Sequence, residues 1–223
     1  MAFFRHIWRG IRLGRLQPVS RSFGFDRGQP IDRYYIERFL SDNSQDIKGR
    51  VLEVGDGEYT RVFGAERVTK SDVLHAQPGN PKATLVGNLA TGEGIPDRSF
   101  ECMILTQTFP FIYDLQDAVA NTYLKLKEGG VLLATFAGIS QISRYDMDRW
   151  GDFWRLSDVA ARRLFGDVFG DQNVAVASHG NVLVACSFLH GLASRELTRA
   201  ELEFRDEDYQ VLITVRAVKR ARS

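Results

Sequence analysis

The chain has 223 residues and a formal net charge of +1, from 29 Lys+Arg against 28 Asp+Glu. It is 44% hydrophobic and 26% charged, a globular composition that excludes disordered, collagenous and coiled-coil classes. The balanced charge leaves no global field for nucleic acid, and two cysteines are too few for a disulfide framework or a Cys-based zinc site.

Residues 1–25 contain Arg5, Arg9, Arg12, Arg15 and Arg21 and no acid. Phe3, Ile7 and Ile11 lie four apart, with Phe4 and Trp8 beside them, which predicts one apolar helical stripe. Three roles stay open for this basic arm, residues 1–29. They are a transit peptide, a membrane-surface helix, and a helix packed on the domain or a neighbouring subunit.

From residue 30 the pattern alternates. Ile31 to Leu40 reads as a helix, with Asp32 near its start. Arg50 to Val54 is a short apolar strand ending at Gly55. Glu66 to Lys70 forms a second strand, stopping before Ser71-Asp72, and Ala83 to Val86 a third. Phe100 to Thr106 is a continuous apolar run, as expected of a strand covered on both faces. Leu115 to Leu126 has helical spacing, and Lys127-Glu-Gly-Gly130 stops it. Val131 to Phe136 is another buried strand. Ser157 caps a helix running to Phe169, and Val174 to Ser178 is a strand. Val182 to Leu197 is helical, and Tyr209 to Val218 is the last strand. Strands alternating with helices predict an α/β fold with a mostly parallel sheet, in one domain spanning 30–223. In such sheets the ligand lies beyond the carboxyl ends of the strands, at the topological switch point.

Gly55-Asp-Gly57 sits where the first strand turns. A Gly-x-Gly turn lets backbone approach a ligand without a Cβ clash, although it also serves as a plain tight turn. The dinucleotide fingerprint needs a third glycine where this chain has Thr60, which disfavours NAD.

The acidic-x-Gly-x-Gly pattern of Glu53, Gly55 and Gly57 resembles motif I of class I S-adenosylmethionine-dependent methyltransferases, with Tyr59 in place of a final glycine often found there. The block 100–108 (FECMILTQT) resembles their fourth-strand motif. The block 124–133 (LKLKEGGVLL) resembles the segment before strand five, with Glu128 where proline is common. The stretches 30–36, 70–75 and 138–147 are similar to small bacterial methyltransferases encoded with glycosyltransferases. The resemblance covers residues 30–220. It implies a Rossmann-like, doubly wound, seven-stranded sheet with an antiparallel last strand.

S-adenosyl-L-methionine would then lie across the ends of strands one to four. Glu53 and the backbone of Gly55, Asp56 and Gly57 would face its methionine end. Asp72 is the candidate for the ribose hydroxyls, because one carboxylate supplies an acceptor pair; a turn or cap acid is the other role open to it. Asn88 and Leu89 fall where the adenine amino group is met, and Asn88 also suits an Asx turn. Thr106 and Gln107 lie beneath the sulfonium.

Methyl transfer is an in-line displacement in which the protein aligns the nucleophile and removes its proton. Among four histidines, His6 lies in the arm, His190 within an apolar helix, and His75 near the ribose or on the surface. His179, after a strand, is the candidate base; a loop histidine is the alternative. The segment 140–155 holds the densest mix of aromatics and charges. Arg144, Tyr145 and Asp146 are candidates to bind or deprotonate a hydroxylated substrate, and Trp150 and Trp154 to wall it. They equally suit a lid packing its own aromatics. Arg33 and Tyr34 would close the pocket from the N-terminal side. No cluster has metal-ligand spacing, so no metal is expected.

The expected activity is O-methylation of a hydroxyl on a sugar, glycan or glycosylated metabolite by a cytoplasmic enzyme, with a homodimer open and neither nucleic acid nor a transmembrane segment. A cofactor-binding protein without turnover and an NAD or nucleotide-sugar Rossmann enzyme remain as alternatives.

Overall fold

The structure is a computed structural model that describes residues 16–220. The stripe of Phe3, Ile7 and Ile11 and the arginines from Arg5 to Arg15 lie outside the described residues.

Seven strands form one sheet in the order β3-β2-β1-β4-β5-β7-β6. They are β1 (Gly49–Val54), β2 (Val68–His75), β3 (Leu85–Val86), β4 (Phe100–Thr106), β5 (Leu126–Ala137), β6 (Val174–His179) and β7 (Leu212–Val218). β7 runs antiparallel to both neighbours, and every other pair is parallel. Helices cover both faces, so the central strands lack polar alternation. On β4, Met103 and Leu105 face one core while Cys102 and Ile104 face the other, as strand alternation requires. The first core joins α2 (Leu115–Lys125) and α4 (Asp158–Phe169) through Val119, Phe165 and Phe169. The second joins α1 (Ile31–Asp42), α5 (Val182–Leu189) and α6 (Arg199–Glu203) through Ile36, Phe188 and Leu202. A one-turn helix, α3 (Arg144–Met147), interrupts the segment after β5. The fold class matches expectation, including the antiparallel last strand.

Boundaries differ where tertiary contacts override local pattern. β2 does not stop at Lys70. Ser71 and Asp72 lie inside it, paired with Val51 and Leu52 of β1, and its end is His75. Leu126 already pairs with Phe100, and Lys127 to Gly130 bulge from β5 before Val131 pairs with Cys102. The helix expected to reach Leu197 ends at Leu189. There Gly191 takes φ +71°, and an added Cβ would stand 2.3 Å from the Ser20 carbonyl oxygen. Residues 16–28 cause this ending, because the amides of Val19 and Ser20 bond the His190 carbonyl at 2.8 and 3.1 Å. Ser157 caps α4 as expected, accepting from the Ala160 amide.

Candidate active site

The strand order reverses between β1 and β4, and two adjoining cavities open at their carboxyl ends. The smaller, about 230 Å³, is bounded by Val54, His75, Asn88, Leu89, Thr106 and Trp150 among others. The larger, about 570 Å³, is bounded by Asp32, Arg33, Arg144, Asp146 and Arg155 with residues of the 21–25 segment. Thr106, Gln107, Phe111 and Asp146 belong to both.

The β1 turn is built by Glu53. This buried carboxylate accepts the Tyr59 amide at 3.1 Å and the Thr60 amide and hydroxyl at 2.7 Å each. Burial pushes its pKa up, while those donors pull it back. Glu53 therefore holds the loop and has its oxygens committed to it. Gly55 has φ +111° with open space on its Cβ side, whereas Gly57, at φ +74°, packs against Val73. Asp56 is exposed, caps the Glu58 amide at 3.1 Å and pairs with Lys82 at 3.4 Å. Tyr59, at the position of the motif's missing glycine, has its own task. Its hydroxyl accepts from Arg33 Nη1 at 2.6 Å, tying α1 to the loop.

Gln107, at the end of β4, has φ +48°, a left-handed conformation costly for a non-glycine residue and common at ligand sites. Its amide bonds the Thr135 carbonyl at 3.1 Å, which holds the backbone there. Asn88 spends its side-chain oxygen on the Ala90 amide at 2.8 Å. Leu89 is buried beside it.

Glu53, Gly55, Asp56 and Gly57 are not among the residues that bound either cavity, and three further expected contacts lie elsewhere. Asp72 is 2% exposed in mid-strand, three residues before His75 and so about 10 Å short of the strand end. It bonds Arg50 at 2.6 Å. Tyr34 faces away from both cavities and bonds Glu203 on α6 at 3.1 Å. Trp154 sends its indole N–H to the Ile112 carbonyl at 3.0 Å and packs on the α2/α4 core, so it walls neither cavity.

His179 is also set apart. β6 is three places from β4, about 14 Å at the usual strand spacing. Its Nε2 pairs with Thr214 Oγ1 at 3.0 Å and its ring lies 5.4 Å from that of Tyr35. Burial, then Arg205 and Arg38, lower its pKa to about 4. The unfolded chain therefore binds this proton more readily. Stability is full above about pH 6.5 and falls as pH drops toward 4, by at most about 3 kcal/mol. Urea titrations from pH 7 to 4.5 are expected to show this slope in the wild type and a flatter one in His179→Gln. Ligand binding at the cavities is expected to be unchanged in that variant.

The 140–155 segment folds over both cavities. Asp146 accepts the Ser143 hydroxyl at 2.6 Å. Trp150 meets His75 edge to face at 5.7 Å. Tyr145 is 66% exposed and lies under the Arg149 guanidinium. Arg144 pairs with Asp148 at 3.8 Å across the surface.

Asp32, Asp152, Arg155 and Phe111 also belong to the walls, and no motif singled them out. Arg155 grips Asp152 at 2.5 and 2.9 Å. Burial would raise the Asp152 pKa, but that grip and the Ser143 amide hold it low. The opposite charges at three-residue spacing were the available signal. Asp32 has a raised pKa because it is desolvated in the cleft. Among the described residues no group of His, Cys, Asp and Glu could hold a metal ion, and no helix is long and apolar enough to cross a membrane.

No protein-family model matches the chain, and no curated protein sequence matches it. Solved structures do. A putative sarcosine dimethylglycine methyltransferase from Galdieria sulphuraria superposes with TM-score 0.56 at 15% identity, over 98% of this chain and 97% of that one. A SAM-dependent methyltransferase from Archaeoglobus fulgidus gives 0.55 at 12%, over 84% and 94%. The N-methyltransferase NodS from Bradyrhizobium japonicum, in complex with S-adenosyl-L-homocysteine, gives 0.53 at 12%, over 97% and 99%. At such identities the likeness is one of fold: this chain has the Rossmann-like fold of these methyltransferases.

Proposed function

We propose that this protein is an S-adenosylmethionine-dependent methyltransferase. The observation that carries the proposal is the pair of adjoining cavities at the β1/β4 switch point. The smaller is lined mainly by apolar surface, the larger has a greater polar share and most of the charged side chains, and they meet at Thr106, Gln107 and Asp146. We place the adenosine half of the cofactor in the smaller cavity and its amino-acid half where the two cavities meet, which leaves the rest of the larger one for an acceptor. Val54, Leu89 and Phe111 suit an adenine face, with Asn88 at its edge. The open side of Gly55 suits close approach of the backbone. S-adenosylmethionine carries its own leaving group, so the chain's residues orient the acceptor, exclude water and take the proton that the hydroxyl loses, a task we assign to Asp146, which bounds both cavities.

We assign the larger cavity to the acceptor, with Arg33, Arg144, Tyr145 and Asp146 as its polar contacts, while Trp150 walls the smaller cavity. Its charges support a hydroxylated acceptor such as a sugar or glycan, and O-methylation as the reaction. Residues 16–29 contribute Ser22, Phe23 and Phe25 to this wall, so we place that part of the arm in the catalytic unit.

Isothermal titration with S-adenosyl-L-homocysteine is expected to give a single site, and NAD no heat. Absence of binding to the former would remove the proposal. Transfer of labelled methyl to a glycan panel tests the acceptor class. Label appearing only on amines would move the reaction to N-methylation.

A further inference from the structure

The end of β2 carries no carboxylate. In nucleotide-binding sheets an acid near this strand end accepts hydrogen bonds from the ribose hydroxyls, and here the nearest acid in the strand, Asp72, is buried against Arg50. The residue at the strand end is His75, which pairs with Val86 of β3 and bounds the smaller cavity. Resting on the function proposed above, we infer that His75 is the ribose-hydroxyl acceptor of this protein, replacing the two-oxygen carboxylate with a single ring nitrogen.

The ring's hydrogen bonds define its chemistry. Nδ1 lies 2.7 Å from the Gln77 carbonyl oxygen and 3.4 Å from the Gln77 amide. A carbonyl oxygen only accepts, and a contact of 2.7 Å between two lone pairs would be repulsive, so Nδ1 carries the proton. In the neutral ring Nε2 is then the acceptor, and no protein donor meets it among the described residues. Trp150 packs edge to face at 5.7 Å and fixes the ring plane.

Asp146 is the other titratable side chain bounding this cavity and is the rival acceptor. It is less well placed, because one of its oxygens takes the Ser143 hydroxyl at 2.6 Å and it lies on the segment after β5, outside the sheet. His75 is anchored by the strand ladder. One nitrogen accepts one hydroxyl, where a carboxylate would accept two, so ribose recognition here rests on one direct bond from β2.

The test is calorimetric binding of two ligands, S-adenosyl-L-homocysteine and its 2′,3′-dideoxy analogue, to the full chain. The wild type is expected to prefer the hydroxylated ligand by about tenfold, as for one well-made hydrogen bond. His75→Phe keeps an aromatic ring against Trp150 but has no acceptor. It is expected to lose that preference, binding both ligands within about twofold of each other, while binding of the dideoxy ligand stays near wild type. His75→Asp is expected to retain or widen the preference. A purely structural role for His75 would weaken both ligands alike and leave their ratio unchanged, which overturns the inference. So would a preference that survives His75→Phe and disappears in Asp146→Asn. Failure of the wild type to bind S-adenosyl-L-homocysteine is a separate outcome, and it removes the proposed function itself.

Discussion

Asp72→Ala is expected to lower folding stability by about 3 kcal/mol and to leave the affinity of the folded protein for S-adenosyl-L-homocysteine unchanged. The carboxylate is nearly fully buried and accepts from Arg50 Nε at 2.6 Å and from the Thr84 hydroxyl at 3.1 Å. Lys70 adds a looser contact at 3.6 Å. The Arg50 guanidinium is pinned over the Phe100 ring, 4.9 Å from its centroid, so it cannot leave the pair without losing that packing. Removing one member of a buried pair leaves an uncompensated charge, which typically costs about 3–5 kcal/mol. The lower end applies here because the Arg50 side chain keeps 25% exposure and gains some solvation. Asp72→Asn keeps an acceptor for Arg50 and Thr84, and is expected to cost about half as much. Urea denaturation at pH 7 measures both. A fall in ligand affinity of more than about fivefold in Asp72→Asn would return this residue to the ribose site.

The same residue marks where the sequence stops being informative. The first half of β2 is solvent-facing, with Thr69, Lys70 and Ser71 exposed. Polarity there mimics a strand end, and only pairing with β1 reveals that the strand continues. Strands buried on both faces, β4 above all, have no such ambiguity, and Phe100–Thr106 is read from the sequence with its observed bounds. The site divides in the same way. The strand ends Thr106 and Gln107, which bound both cavities, are legible because backbone geometry ties ligand position to strand termini, whereas the glycine motif is legible only as a turn, since its residues bound neither cavity. The 140–155 segment is legible as a concentration of aromatics and charge, but not residue by residue. Trp150 and Trp154 are four apart, yet one bounds the smaller cavity and the other packs into the core. No periodicity assigns faces in a loop. His179 reaches a strand's carboxyl end as expected, but sheet order places that strand far from the site, and strand order is not written in local pattern.

Gly55→Leu is expected to weaken S-adenosyl-L-homocysteine binding by on the order of a hundredfold, equivalent to about 3 kcal/mol, while costing about 1–2 kcal/mol in stability. The stability cost comes from backbone alone. Gly55 has φ +111°, which strains any L side chain, but nothing lies within 4 Å of an added Cβ, so the protein itself raises no steric objection. Gly55 directly follows Val54, which bounds the smaller cavity, and on the function proposed above the cofactor occupies the space beside this turn. A ligand there meets the leucine directly, and overfilling a close contact typically costs about 1–3 kcal/mol. Gly57 supplies the control. Its φ of +74° imposes comparable strain, but its Cβ would meet Val73 Cγ2 at 3.0 Å, against the sheet and not in the open space. Gly57→Ala is therefore expected to destabilise at least as much as Gly55→Ala and to change affinity by less than about fivefold. Thermal melts with and without ligand separate the two effects. If Gly55→Leu binds as well as Gly57→Ala at matched stability, the open side of Gly55 faces water and not a cofactor, and the turn is only a turn.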